Sequence, residues 1–186
     1  MSLAPIPSWY HSDGGKMVAF DAWNIGKINA GEDSETQTIY LWNNINGKDP
    51  SKSSDYTSLT DDTEKAKYLA NNTVADMQDV QITTYSDDEA CDVVTDKWIR
   101  VKLDSIAKDE EGNDKTPEDS FTQIGGSDTH TLSATGVQEG IIKGTFNSGA
   151  DTDTSNFSKF EIFCHVPDNA KAGPRSLYTR IIYYYT

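Results

Sequence analysis

Strand-length runs in which apolar and polar positions alternate recur along this chain. In TQTIYLWN (36–43), Ile39 and Leu41 fall on one face, with Thr38, Tyr40 and Trp42 on the other. In KWIRVKLD (97–104), Ile99, Val101 and Leu103 oppose Trp98, Arg100 and Lys102. A period of two residues is the geometry of a pleated strand with one face buried. KMVAFDA (16–22), DVQITTY (79–85), THTLSA (129–134), EGIIKGTFN (139–147), KFEIFCHV (159–166) and LYTRIIYYYT (177–186) are further strand candidates. The stretches between them, such as NINGKDPSKSSD, KDEEGNDKTPED and NSGADTDTSN, are dense in Gly, Asn, Asp and Ser. Those residues tolerate left-handed backbone or bond to their own main chain, which suits them to turns. Short strands punctuated in this way predict an all-β sandwich with long loops.

One stretch departs from the pattern. SLTDDTEKAKYLANN (58–72) offers Ser58 or Thr60 as a cap, acids in a first turn, and Ala66, Leu69 and Ala70 on one side, which predicts one short inserted helix. A helix of that length cannot support a domain of its own, so it is read as part of an elaborated loop. The expected organisation is an N-terminal segment at 1–15, Pro-rich and nearly strandless, followed by a single sandwich domain at 16–186 with an insertion at 44–75.

Composition narrows the function. The chain has 186 residues and a formal charge of −14, a field that repels a phosphate backbone and argues against a nucleic-acid partner. No apolar run is long enough to cross a bilayer, and the N-terminus lacks the basic and apolar regions of an export signal, so no membrane partner is expected. Cys91 and Cys164 have neither CxxC spacing nor a histidine cluster, which leaves two buried free thiols as the expectation. His165 follows Cys164, but neighbours on a strand point to opposite faces and cannot form a catalytic pair. The acidic run at 109–114 lacks the calcium-loop spacing. No cofactor, metal or catalytic constellation is expected, and the chain reads as a non-enzyme.

The aromatic residues are the remaining candidates for function. Trp42 and Trp98 lie opposite the aliphatic face of their strands, so their rings belong either to an interface or to a second covered layer. Trp9 and Tyr10 sit in the N-terminal segment, which is apolar enough to pack on a partner. In the closing strand Ile181 and Ile182 place large apolar side chains on both faces, one of them available to a neighbouring subunit, and Tyr183 and Tyr185 follow. Trp9, Tyr10, Trp42, Trp98, Tyr183 and Tyr185 are therefore the candidate partner interface.

A resemblance sharpens this reading. NFSKFEIFCHVPDNAKAGPRSLYTRIIYYY (156–185) resembles the last two strands of an immunoglobulin-like or fibronectin-like sandwich, with a Val-Pro exit at Pro167 and a turn at Gly173. NIGKINAGEDSETQTIYLWNN (24–44) is similar to the opening of such modules. Taken with IPSWYHSDG (6–14), the order resembles Ig-like structural proteins of tailed bacteriophage virions, including capsid decoration proteins. The resemblance implies a protein made in the host cytoplasm that docks on the capsid surface, with the major capsid protein or another virion protein as partner, and that forms a homo-oligomer. A tail or baseplate component shares the fold. A carbohydrate-binding or adhesive module is the other reading, with glycan stacked on exposed rings.

Overall fold

The computed structural model describes residues 2–19 and 22–186. Among these, nine strands form two antiparallel sheets: β1 (Pro7–Asp13), β2 (Lys16–Ala19), β3 (Gln37–Asn43), β4 (Gln78–Tyr85), β5 (Ile99–Leu103), β6 (Thr122–Ile124), β7 (His130–Thr131), β8 (Phe157–Cys164) and β9 (Tyr178–Tyr184). The larger sheet has the order β2-β1-β3-β8-β5-β6, and the smaller has β7-β4-β9. The expected all-β architecture is the one observed. In the immunoglobulin arrangement the last two strands share a sheet. Here β8 and β9 lie in different sheets, and what the two architectures share is the pair of antiparallel layers.

The core lies between the sheets, where the alternation predicted it. Ile39 and Leu41 of β3, Ile99 and Val101 of β5, and Phe160 and Ile162 of β8 meet Val80 and Ile82 of β4. Phe160 lies opposite Ile39, and Ile162 opposite both Gln37 and Val101, so the inner faces are in register. Each such side chain, fully buried, contributes roughly 1.5–3 kcal/mol.

β1 corrects the reading of residues 1–15 as nearly strandless. Pro7 begins the strand, where a missing N–H costs nothing. The strand then pairs with β3 from Pro7 opposite Asn43 to His11 opposite Ile39. Gly14 and Gly15, with φ of 56° and 82°, close a two-residue turn to β2 between Asp13 and Lys16. Two consecutive positive φ angles are the requirement of the hairpin turn that matches strand twist, and glycine meets it without strain. The candidate strand at 16–22 is strand over 16–19, and Phe20 and Asp21 lie outside the described residues.

EGIIKGTFN forms no strand. Its one bridge pairs Ile142 with Met77. Gly144 lies so close to the chain at 74–75 that a Cβ would stand 2.3 Å from the Ala75 carbonyl oxygen. The segment lies antiparallel beside residues 77–80, with Met77 and Ile142 exchanging backbone hydrogen bonds and the Val80 N–H donating to the Gly140 carbonyl. The predicted helix is present as α2 (Asp62–Asn72), capped by Asp61, whose side chain accepts from the Glu64 N–H. Two shorter helices, α1 (Ser54–Ser58) and α3 (Asp92–Thr95), accompany it. No residue of α1 or α2 is buried, so this part of the insertion lies outside the core.

The crossing segments are held by asparagines. Asn43, fully buried at the end of β3, accepts from Ile6 N–H at 3.0 Å and donates through Nδ2 to the carbonyls of Ala75 (3.0 Å) and Ile142 (3.2 Å). Its own N–H donates to the Asn156 carbonyl. Asn44 donates to the Gly144 carbonyl, Asn147 to the Asn44 carbonyl, and Asn156 to those of Lys143 and Thr145. Asn44 and Asn46 adopt positive φ of 60° and 57°, which asparagine tolerates better than most residues.

Replacing Asn43 with Ala removes the partner of the buried Ala75 carbonyl and of the part-buried Ile6 N–H, and one of the two donors to the Ile142 carbonyl, which keeps the Met77 N–H. We expect a loss of about 3 kcal/mol, since each orphaned group costs about 1–3 kcal/mol. Urea unfolding measures it, and an unchanged midpoint would contradict the role given to this side chain.

Candidate functional site

Trp9 of β1 projects to the inner face of the larger sheet and meets Phe160 edge-on, with ring centroids 6.3 Å apart. β1 lies next to the outermost strand of that sheet, and β9 is an outer strand of the smaller one. Between them, among the described residues, opens a cleft of about 630 Å³. Its floor is Ile39, Phe160 and Ile162; Trp9, Trp23 and Ile25 line it on one side, and residues 175–179 on the other. Trp23, Ile25 and Ile28 pack on the core from the irregular stretch before β3, so that stretch covers part of the core that no strand covers.

One wall is held by an ion pair. Arg175 makes two charge-assisted hydrogen bonds to the Asp92 carboxylate, Nε to Oδ1 at 2.5 Å and Nη2 to Oδ2 at 2.8 Å. Its guanidinium carbon lies 6.0 Å from the Trp98 ring centroid. This pair ties the link between β8 and β9 to α3, and the Ser86 hydroxyl adds a bond to the Ser176 carbonyl. The Arg175 hydrogen bonds are the main cause holding the Asp92 carboxyl below its usual value of 3.8.

The six aromatic candidates do not form one surface. Trp9 lines the cleft. Tyr10, the next residue on β1, points to the opposite face, where it lies opposite Tyr40. Trp42 is 0% exposed, stacked at a tilt on Phe157, and Trp98 is 6% exposed. The covered layer is thus the arrangement found for these two rings, and neither has surface to offer a partner. Tyr183 packs partly on the core beside Ile181, whereas Tyr185 is exposed beyond the end of β9. Trp23, Ile25, Leu177 and Tyr178 line the cleft without having been singled out, because the segments that carry them alternate weakly or not at all.

The polar candidates are accounted for locally. Cys91 and Cys164 are buried and free, and burial pushes the Cys164 thiol up to about 11. His165 pairs with Asp33 at 2.6 Å and His130 with Glu118 at 2.9 Å. In the acidic loop, Asp109 accepts from the Asn113 N–H and Asp114 pairs with Lys108. Among the described residues no group of three or more His, Cys, Asp and Glu side chains is placed to hold a metal, and no helix is long and apolar enough to cross a membrane.

The chain matches no protein-family model, and no curated protein or solved structure is significantly similar to it.

Two measurements check this description. Thiol titration of the native protein at neutral pH should register neither cysteine quickly and both in denaturant; rapid native labelling would contradict their burial. Because the Asp92 carboxyl is lowered on folding, its contribution to stability is complete above its ordinary value of 3.8 and disappears as pH falls through the lower folded value. R175A should therefore destabilise the protein most at pH 6 and progressively less as pH falls below 3.8, leaving only the contribution of the Trp98 and Lys171 contacts. An equal effect above and below that value would contradict the ion pair as the cause.

Proposed function

We propose that the protein is a non-enzymatic structural module that docks on a larger protein assembly, inserting a segment of its partner into the cleft beside Trp9. The observation that carries this reading is the composition of the cleft. Trp9 and Trp23 line it together with Ile25, Ile39, Ile162 and Leu177. Mixed aromatic and aliphatic side chains suit the burial of an apolar protein anchor, whereas a sugar site asks for coplanar exposed rings. The net charge of −14 favours a partner with a basic rim around that anchor, through faster encounter and correct orientation.

The assembly we favour is the capsid of a tailed bacteriophage, with the major capsid protein as the partner and the capsid surface as the place of action. That choice rests on the resemblance of residues 6–14, 24–44 and 156–185. A repeating lattice multiplies modest contacts, so one cleft per copy is sufficient for stable decoration. A tail or baseplate position would use the same cleft.

Glycan binding is the second reading, favoured by one observation. Tyr85 and Tyr178 are 41% and 48% exposed; they stack on each other with ring centroids 5.0 Å apart, and Tyr178, which also lines the cleft, is the ring a sugar would meet there.

The test is binding of purified protein to capsids that lack it. Wild type should saturate them at a fixed copy number, and W9A with I25D should reduce occupancy at least tenfold while the fold, checked by circular dichroism, persists. Undiminished binding by the double variant would remove the cleft from docking. Failure of wild type to bind capsids, with retention on a glycan array abolished by Y178A, would favour the second reading.

A further inference from the structure

β9 leaves one of its edges open. It pairs with β4 along one side, from Tyr178 opposite Tyr85 to Tyr184 opposite Gln78, and it is the last strand of its sheet. Among the described residues, the backbone of Tyr178–Tyr184 makes hydrogen bonds to no element other than β4. Ser2 bonds to the Thr186 carbonyl, beyond the end of the strand. The open edge is seven residues long, without proline and rich in β-branched and aromatic side chains. Natural sheets usually shorten, charge or cover such an edge.

The sequence of the strand shows what it can pair with. The chain carries 30 acidic residues, yet β9 has none and has one cation, Arg180. Its outward side chains, Tyr178, Ile182 and Tyr184, are 40–55% exposed. We infer that β9 pairs antiparallel with β9 of a second copy of this chain, about a two-fold axis at Ile181, so that the smaller sheets of two copies become one continuous sheet.

Symmetry and the period of the strand set the register. A two-fold axis perpendicular to the sheet pairs residues of the same face, and a centre at Ile181 uses the whole of Tyr178–Tyr184. Ile181 then lies opposite itself, Thr179 opposite Tyr183, Arg180 opposite Ile182 and Tyr178 opposite Tyr184. The exposed aromatic and aliphatic residues of both copies gather on one face. A centre at Arg180 would set like charges against each other, a destabilising arrangement. Seven residues a side fall well short of the roughly 20–30 of a standard interface, so the dimer is concentration-dependent. Each copy carries a charge of −14, so added salt strengthens the association by screening repulsion. This pairing is argued from the backbone of β9 and does not rest on docking through the cleft, although Tyr178 and Thr179 belong to both surfaces.

Sedimentation equilibrium over a wide concentration range tests it on the full chain. Wild type should pass from monomer to dimer, more tightly at 0.5 M than at 0.05 M sodium chloride. Position 182 lies opposite Arg180 in this register, so I182E and I182K should diverge. I182K should weaken the dimer at least tenfold, whereas I182E, which sets one carboxylate opposite one Arg180 on each side of the axis, should hold it at or near wild-type strength. Both substitutions are at an exposed outward position, and thermal melting confirms that each variant is folded. A wild-type monomer at all concentrations would overturn the pairing, and so would equal weakening by both variants.

Discussion

The carboxamide of Asn43 ties three segments far apart in the chain to the end of one core strand. It stands at the end of β3, fully buried, and holds backbone groups from residue 6, residue 75 and residue 142. The Ile142 carbonyl also takes the Met77 N–H in an isolated bridge, whereas the Ile6 N–H and the Ala75 carbonyl lie outside any ladder. A buried amide or carbonyl without a partner costs about 1–3 kcal/mol, so three crossing segments share one solution. The neighbouring asparagines extend it: Asn44, Asn147 and Asn156 donate to carbonyls of the irregular stretch from 143 to 145 and its surroundings. Long loops are thereby made into structure without secondary structure, and the 44–75 insertion is anchored where it returns to the core.

A sandwich of six strands against three leaves part of the larger sheet without a strand opposite it. The stretch carrying Trp23, Ile25 and Ile28 covers some of that area, and the cleft is what remains. The open edge of β9 has the same origin, since among the described residues no further strand extends the smaller sheet. The two surfaces differ in chemistry. The cleft offers mixed aromatic and aliphatic side chains for an inserted anchor, and the edge offers backbone hydrogen bonds to another strand. The Asp92–Arg175 pair keeps the start of β9 in place between them, by tying the incoming chain to α3 beside Trp98.

Strands with a one-sided pattern were legible because burial on one face imposes a period of two. β3, β4, β5 and β8 carry that imprint; β9, apolar on both faces, was legible from its β-branched and aromatic run, and the surface helix α2 from its acidic first turn, although its cap is Asp61 and not Ser58 or Thr60. β1 was hidden by its polar outward residues Ser8 and Ser12 and by Pro7, although the Gly14–Gly15 turn was a readable hairpin signal. EGIIKGTFN alternated like a strand yet makes a single antiparallel bridge, Ile142 with Met77, and at Gly144 the 74–75 backbone comes too close for a side chain. Burial of Trp42 and Trp98 could not be read from alternation, which separates two faces and does not show whether both are covered.

The sequence by itself determined the class of fold, the inward set of apolar residues, the position of the longer helix and the burial of two unpaired thiols. Each of these follows from local periodicity, capping chemistry or composition. Only the tertiary structure decided which strands are neighbours, which edge stays open, and which of the aromatic residues line a cleft. Those outcomes depend on contacts between residues far apart in the chain, such as Asn43 with Ile142 and Asp92 with Arg175. Nothing in the local pattern around either partner specifies the other.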